Sequence, residues 1–117
     1  MVLCDAAPEP LAYVQQALAA NRFSHGSTSR HTWGEPLHAG PYEVIIGADI
    51  LYRPAYHRAL LSTITTSLAP SGVALLSDPR SELEPELPAV AAAQGLTWEV
   101  ERRPGNYTLI RCRHADQ

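Results

Sequence analysis

Apolar and polar positions along this chain change period several times, and each change marks an element boundary. Val2-Leu3-Cys4 is a brief apolar run ending in Asp5 and Ala6, as a buried strand does where it runs into a loop. From Pro8 the spacing turns helical, with Leu11, Val14 and Leu18 on one face and a proline tolerated in the first turn. Residues Asn21 to Gly26 end that helix, and Ser27 to Trp33 predicts a more polar strand broken by Gly34-Glu35-Pro36. Tyr42 to Leu51 contains Val44-Ile45-Ile46, a continuous apolar run of the kind expected for a central strand covered on both faces. After Pro54, Tyr56, Leu60, Leu61, Ile64 and Leu68 follow helical spacing up to Pro70-Ser71-Gly72, which predicts the helix end. Val73 to Leu76 predicts another buried strand, stopped by Asp78-Pro79. Glu82 to Gln94 predicts an alanine-rich helix capped by Gly95, despite Pro85 and Pro88. Thr97 to Arg102 and Tyr107 to Arg113 alternate around Pro104-Gly105-Asn106, the pattern of a β-hairpin.

Strand–helix units followed by a hairpin predict an α/β fold: a mainly parallel, doubly wound sheet with a C-terminal antiparallel hairpin at one edge. With 117 residues and 45% hydrophobic side chains, the chain suits one domain over residues 1–117.

Charge then removes several functions. All nine basic residues are arginines, set against twelve acidic ones, for a formal charge of −3. That balance speaks against binding driven by nucleic-acid phosphates. The lack of any lysine excludes a P-loop, a Schiff-base lysine and a phospho-receiver site. No apolar run nears the roughly 20 residues of a membrane span. Residues 1–20 also lack a signal-peptide pattern, so a cytoplasmic location without membrane contact is expected. There Cys4 and Cys112 would stay thiols. The five histidines show no zinc-ligand spacing, so no metal is expected, and Ser77-Asp78 lacks the glycine elbow of a hydrolase nucleophile. Arg102, Arg103, Arg111 and Arg113 suit a solvated edge strand better than a binding stripe. Trp98 alternates with Val100 as a core residue would.

In doubly wound sheets ligands bind beyond the carboxyl ends of the strands, where this chain places Asp5, Trp33, Asp49 and Asp78. An acid after the first strand suits the two hydroxyls of a ribose, and an aromatic after the second can stack on a base. The competing reading makes Asp49 a helix cap before Pro54 and Tyr52 a packing aromatic.

Taken in order, five segments resemble the successive motifs of class I S-adenosylmethionine-dependent methyltransferases. They are Val2-Leu3-Cys4-Asp5, the helix ending Ala20-Asn21, Thr32-Trp33-Gly34, Ala48-Asp49-Ile50-Leu51-Tyr52 and Leu75-Leu76-Ser77-Asp78-Pro79-Arg80. Trp-Gly followed by Asp-x-x-Tyr is similar to the lysine methyltransferase-like branch, which includes the electron-transfer-flavoprotein β-subunit lysine methyltransferases. The resemblance implies a Rossmann-like fold and S-adenosylmethionine as methyl donor. It implies Asp5 as the ribose-binding acid, Ala6 beside it, and Thr32 and Trp33 at the adenine. Ala48 and Asp49 would lie against the cofactor, and Asp49 and Tyr52 would line the methyl-transfer site. Where the family usually has an acidic residue before the tryptophan, this chain has Thr32.

The family begins with a strand and a Gly-x-Gly loop, and no two glycines here have that spacing. The chain is therefore expected to be a truncated methyltransferase domain whose first strand, central in the family sheet, is missing. The flanking strands would then pair directly, or another chain would supply the strand in a homodimer, or the fragment would fold poorly. Two functions follow. One is part of an N-methyltransferase acting on a protein substrate, with lysine as the leading acceptor. The other is a degenerate, non-catalytic module with a binding or structural role.

Overall fold

The computed structural model describes residues 2–5, 8–22, 26–103, 105 and 107–116. The chain opens with strand β1 (Val2–Asp5), helix α1 (Pro8–Ala20) and strand β2 (Ser27–Arg30), which form a parallel two-stranded sheet joined by its crossover helix. Strand β3 (Tyr42–Ala48) leads through a 3₁₀ turn (Pro54–Tyr56) into α2 (His57–Ser67) and β4 (Leu68–Asp78). After α3 (Leu87–Ala93), strands β5 (Glu99–Arg103) and β6 (Tyr107–Cys112) form the antiparallel hairpin. The second sheet has the order β3-β4-β6-β5, parallel between β3 and β4 and antiparallel thereafter.

Alternation thus located every element, but several bounds differ. The β2 strand stops at Arg30 rather than running to Trp33, since Thr32 to Glu35 form a turn closed by the Glu35 amide on the Thr32 carbonyl. The Pro70-Ser71-Gly72 signal does not end a helix: α2 stops at Ser67, and β4 runs straight through all three residues. Gly72 makes this feasible. A Cβ there would lie 2.9 Å from the Tyr42 carbonyl oxygen and 3.0 Å from that of Glu43, so only glycine lets β3 come this close. The register absorbs the irregular stretch as a bulge, with Tyr42 opposite Leu68 but Val44 opposite Val73. The last helix is short because Pro85 disfavours helix in the residue before it, and Pro88 fits only a first turn. In the hairpin, Pro104 and Asn106 lie outside the described residues.

The core fills the space between one face of the larger sheet and the two helices α2 and α3. Leu51, Leu60, Leu61, Ile64, Leu76, Leu87, Leu96, Ile110 and Cys112 meet there. Burial raises the Cys112 thiol to about 12, which keeps it protonated. The opposite sheet face is bare. Val44 is 57% exposed and Ile46 76% exposed, so the apolar run of β3 is covered on one face only, by contacts through Ile45. Both α2 and α3 lie on that one face, while α1 packs against β1 and β2.

The two sheets do not join. Among the described residues β1 pairs only with β2, and β3 only with β4, so the expected direct pairing of β1 with β3 is not found. No strand among the described residues is paired to the other edge of β3.

Candidate functional site

A cleft of about 620 Å³ lies where the carboxyl ends of β1 and β3 approach each other. Cys4 lines it from β1, His31, Thr32 and Trp33 from the turn after β2, and Ala48 to Ile50 with Tyr52, Arg53 and Tyr56 from the segment after β3. Its volume suits a small-molecule ligand.

Trp33 is placed by α2. The Gly34 amide donates to Thr63 Oγ1 at 2.8 Å, that hydroxyl donates to the Glu35 carbonyl at 3.0 Å, and the Leu37 amide donates to Ser67 Oγ at 2.7 Å. His31 donates from Nε2 to the Glu35 carbonyl at 2.7 Å, and its ring meets Trp33 edge-on with centroids 5.5 Å apart. The indole is left 37% exposed beside the cleft. Neither Thr63 nor Ser67 was singled out from sequence. The available signal was their four-residue spacing on the apolar face of α2, where a polar pair needs partners.

Asp49 leaves β3 in a left-handed conformation, φ 55°, which aspartate tolerates better than most residues. Its amide still donates to the Ser77 carbonyl at 2.8 Å, so the turn is tied to the end of β4. Asp49 caps no helix: the cap positions before the 3₁₀ turn and before α2 are Arg53 and Tyr56, and neither uses its side chain. Tyr52, 59% exposed, is not a packing residue either. The competing structural roles for this pair therefore fall away. Arg53 lies over the Tyr52 ring at 5.5 Å and the Tyr56 ring at 6.0 Å.

Behind this segment sits an ionic anchor. The Leu51 carbonyl accepts from His57 Nε2 at 2.7 Å and from Arg80 Nη2 at 3.2 Å. Arg80 is gripped by Asp78 at 2.9 Å and Glu84 at 2.7 Å, and its own carbonyl accepts from Thr108 Oγ1. Burial of Asp78 favours its neutral form, but hydrogen bonds from Arg80 outweigh this and hold the carboxyl below its ordinary value. Arg80 hydrogen bonding likewise lowers Glu84, and bonds to the two carboxylates push Arg80 up. Asp78, expected just after a strand, is the last residue of β4; it is buried in this network and does not line the cleft.

The structure thus brings together Thr32, Trp33, Ala48, Asp49 and Tyr52, and adds Cys4, His31, Arg53 and Tyr56. The backbone of Asp5 ends β1 opposite Arg30, while its carboxyl and the whole of Ala6 lie outside what is described. Of the hairpin arginines, read from sequence as belonging to a solvated edge strand, Arg111 lies 3.5 Å from Glu99. Among the described residues no group of three or more histidines, cysteines or carboxylates could hold a metal ion, and no helix is long and apolar enough to cross a membrane.

No protein-family model matches this chain, and no curated protein matches it in sequence. Its fold does match solved structures. An O-methyltransferase (NcsB1) from neocarzinostatin biosynthesis, in complex with S-adenosylmethionine and 2-hydroxy-5-methyl naphthoic acid, superimposes with a TM-score of 0.81 at 15% identity, over 97% of this chain and 41% of that one. The PH0226 protein of Pyrococcus horikoshii matches at a TM-score of 0.80 with 10% identity, over 97% and 71%. The N-methyltransferase NodS of Bradyrhizobium japonicum matches at 0.72 with 18% identity, over 97% and 72%. The fold is therefore the Rossmann-like α/β fold seen in methyltransferases, present as a piece. The chain spans 41% of the O-methyltransferase and about seven-tenths of the other two.

Proposed function

We propose that this chain is the greater part of the catalytic domain of an S-adenosylmethionine-dependent N-methyltransferase, with a lysine of a protein as acceptor. The observation that carries the reading is the convergence of Trp33, Ala48, Asp49 and Tyr52 on one cleft at the strand ends. Three of these, Trp33, Asp49 and Tyr52, are reactive or aromatic side chains left open to the cleft instead of serving as caps or core. The same fold in NodS and NcsB1 supports it, both having been crystallised with S-adenosylmethionine or its demethylated product.

The cleft suits such a cofactor: an exposed indole offers a stacking face for a base, and Asp5, at the end of β1, would meet the ribose. When bound, the cofactor supplies a methyl group on a positively charged sulfonium. Trp33 and Thr32 would hold the base, and the Ala48 side chain is small enough to let a ligand approach the end of β3. Asp49 would orient the amine and take up the proton that its nitrogen loses, directly or through water. The Tyr52 ring would attract cationic centres in its pocket. Holding both reactants in one cleft replaces a bimolecular encounter by a fixed geometry, worth effective molarities of about 10⁵ M or more. We further propose a cytoplasmic protein with no nucleic-acid or membrane partner.

One observation favours a second reading. The gap between β1 and β3 leaves the cleft open on the side of a central strand, which suits a non-catalytic module or a protein completed by another copy. Calorimetric titration with S-adenosylhomocysteine separates these. Saturable binding that Trp33→Ala weakens supports the enzyme reading. Absence of binding by a folded monomer, regained in a dimer, means that a second copy completes the site. Absence in every oligomeric state leaves the module.

A further inference from the structure

Two opposite charges line the cleft without neutralising each other. Asp49 has neither a side-chain hydrogen bond nor an ion pair among the described residues, and Arg53 has no carboxylate partner. Elsewhere among the described residues Arg80 and Arg111 are bridged to carboxylates.

Arg53 is nevertheless held. Tyr52 and Tyr56 lie against its guanidinium at 5.5 and 6.0 Å, contacts made through ring faces. Stacking of this kind leaves the in-plane N–H donors free, and those donors form the fork that meets a carboxylate through two parallel bonds. Asp49, a few residues earlier and with its backbone fixed by the bond to Ser77, is the complement of an ammonium. A plain alkylamine would engage Asp49 and leave the fork idle.

We propose that Asp49 and Arg53 form a divided pair that binds the ammonium and carboxylate of one amino-acid group. This rests on the reading of the cleft as a methyl-transfer site and deepens it. The carboxylate belongs either to a free amino-acid acceptor, in place of the protein lysine proposed above, or to the amino-acid end of the cofactor; the chemistry is the same and experiment tells the sources apart.

The test uses the 117-residue chain, its Arg53→Gln variant and Trp33→Ala. Each is titrated with S-adenosylhomocysteine and with 5′-deoxy-5′-methylthioadenosine, which keeps the nucleoside but lacks the amino-acid end. Chain saturated with methylthioadenosine is then titrated with L-lysine and with cadaverine, its decarboxylated counterpart. Loss of a bidentate, charge-assisted contact costs about tenfold or more in affinity. An Arg53→Gln loss of that size for S-adenosylhomocysteine, with methylthioadenosine unchanged, assigns the carboxylate to the cofactor. The same loss for L-lysine, with cadaverine unchanged, assigns it to the acceptor. Equal effects on probes with and without a carboxylate, or no effect on any, overturn the pair. If methylthioadenosine binds and Trp33→Ala weakens it while Arg53→Gln is silent, the divided pair fails and the cofactor reading stands. Failure of a folded chain to bind any probe removes both.

Discussion

The body built from β3 to β6 with α2 and α3 and the smaller unit β1–α1–β2 are made in opposite ways. The body carries twelve buried residues in one apolar cluster and an ionic anchor behind the cleft. Among the described residues the smaller unit contributes one side chain to the buried set, Leu11, and its helix leaves Tyr13 79% exposed. Its helix and strand are tied, among the described residues, by a surface hydrogen bond from Gln15 Nε2 to Thr28 Oγ1 at 2.8 Å. The difference divides the cleft by stiffness. Trp33 follows β2 in the chain but hangs from α2 through Thr63 and Ser67, so it belongs mechanically to the body, together with Asp49 and Tyr52. The end of β1, with Cys4, belongs to the softer wall.

The largest expected effect breaks this contrast if it is false. Leu60→Ala empties the centre of the body and should cost about 2–5 kcal/mol in urea unfolding, as buried leucines do. Leu11→Ala should cost less than about 1 kcal/mol globally, because the smaller unit can open by itself. Amide exchange should agree, with β1 and β2 exchanging well before β4 and β6. Equal penalties for the two leucines would mean one cooperative unit in spite of the split sheet.

The anchor comes next. Asp78→Asn leaves Arg80 with half its grip and should cost about 2 kcal/mol at neutral pH, in the range of hydrogen bonds to charged groups. Asp78 and Glu84 have folded pKa values lowered below the unfolded ones. Their stabilisation is therefore complete above the unfolded values and disappears as pH falls through the folded ones. Thermal unfolding between pH 7 and pH 2 should show the wild type losing stability below about pH 4. The variant should decline less, so that the two curves converge in acid. Parallel curves would remove the anchor from the account.

How much of this was legible depended on the range of the interaction. The 2- and 3.6-residue periods of local runs disclosed the strand–helix alternation, and the residues closing β3 and preceding Gly34 disclosed the polar and aromatic lining. Pairing between β1 and β3 is a non-local choice, and no local period reports it. Val44-Ile45-Ile46 reads as a strand buried on both faces because apolarity says what tolerates burial, not what covers it. Pro70-Ser71-Gly72 reads as a stop because the need for glycine came from the β3 backbone, far away in sequence. Arg80 and His57 gave no signal, as their shared partner is a main-chain carbonyl, that of Leu51.

Gly72→Ala tests that last kind of contact. The added methyl meets two backbone oxygens that cannot rotate aside, so the cost should be about 1–3 kcal/mol, typical of overpacking. Heteronuclear spectra should place the perturbation at Tyr42 to Val44, in the body, and leave β1 and β2 unshifted. Perturbation spread into the smaller unit would show the two sheets to be coupled across the gap.

Two substitutions at Trp33 and its support give the smallest effects on stability and the sharpest view of the stiff wall. Trp33→Ala removes a side chain that is 37% exposed and should cost about 1–2 kcal/mol in unfolding free energy. Thr63→Val keeps the shape but removes a hydroxyl that accepts from the Gly34 amide and donates to the Glu35 carbonyl, costing about 1 kcal/mol. Because both loop groups can turn to water, the loss appears mainly as motion: the Trp33 indole should gain nanosecond mobility in fluorescence anisotropy. If α2 holds the aromatic wall in place, Thr63→Val weakens S-adenosylhomocysteine binding with the indole still present, and Trp33→Ala weakens it further. Unchanged anisotropy and affinity in Thr63→Val would mean that the turn after β2 keeps its shape unaided, and Trp33 would then belong with the softer wall.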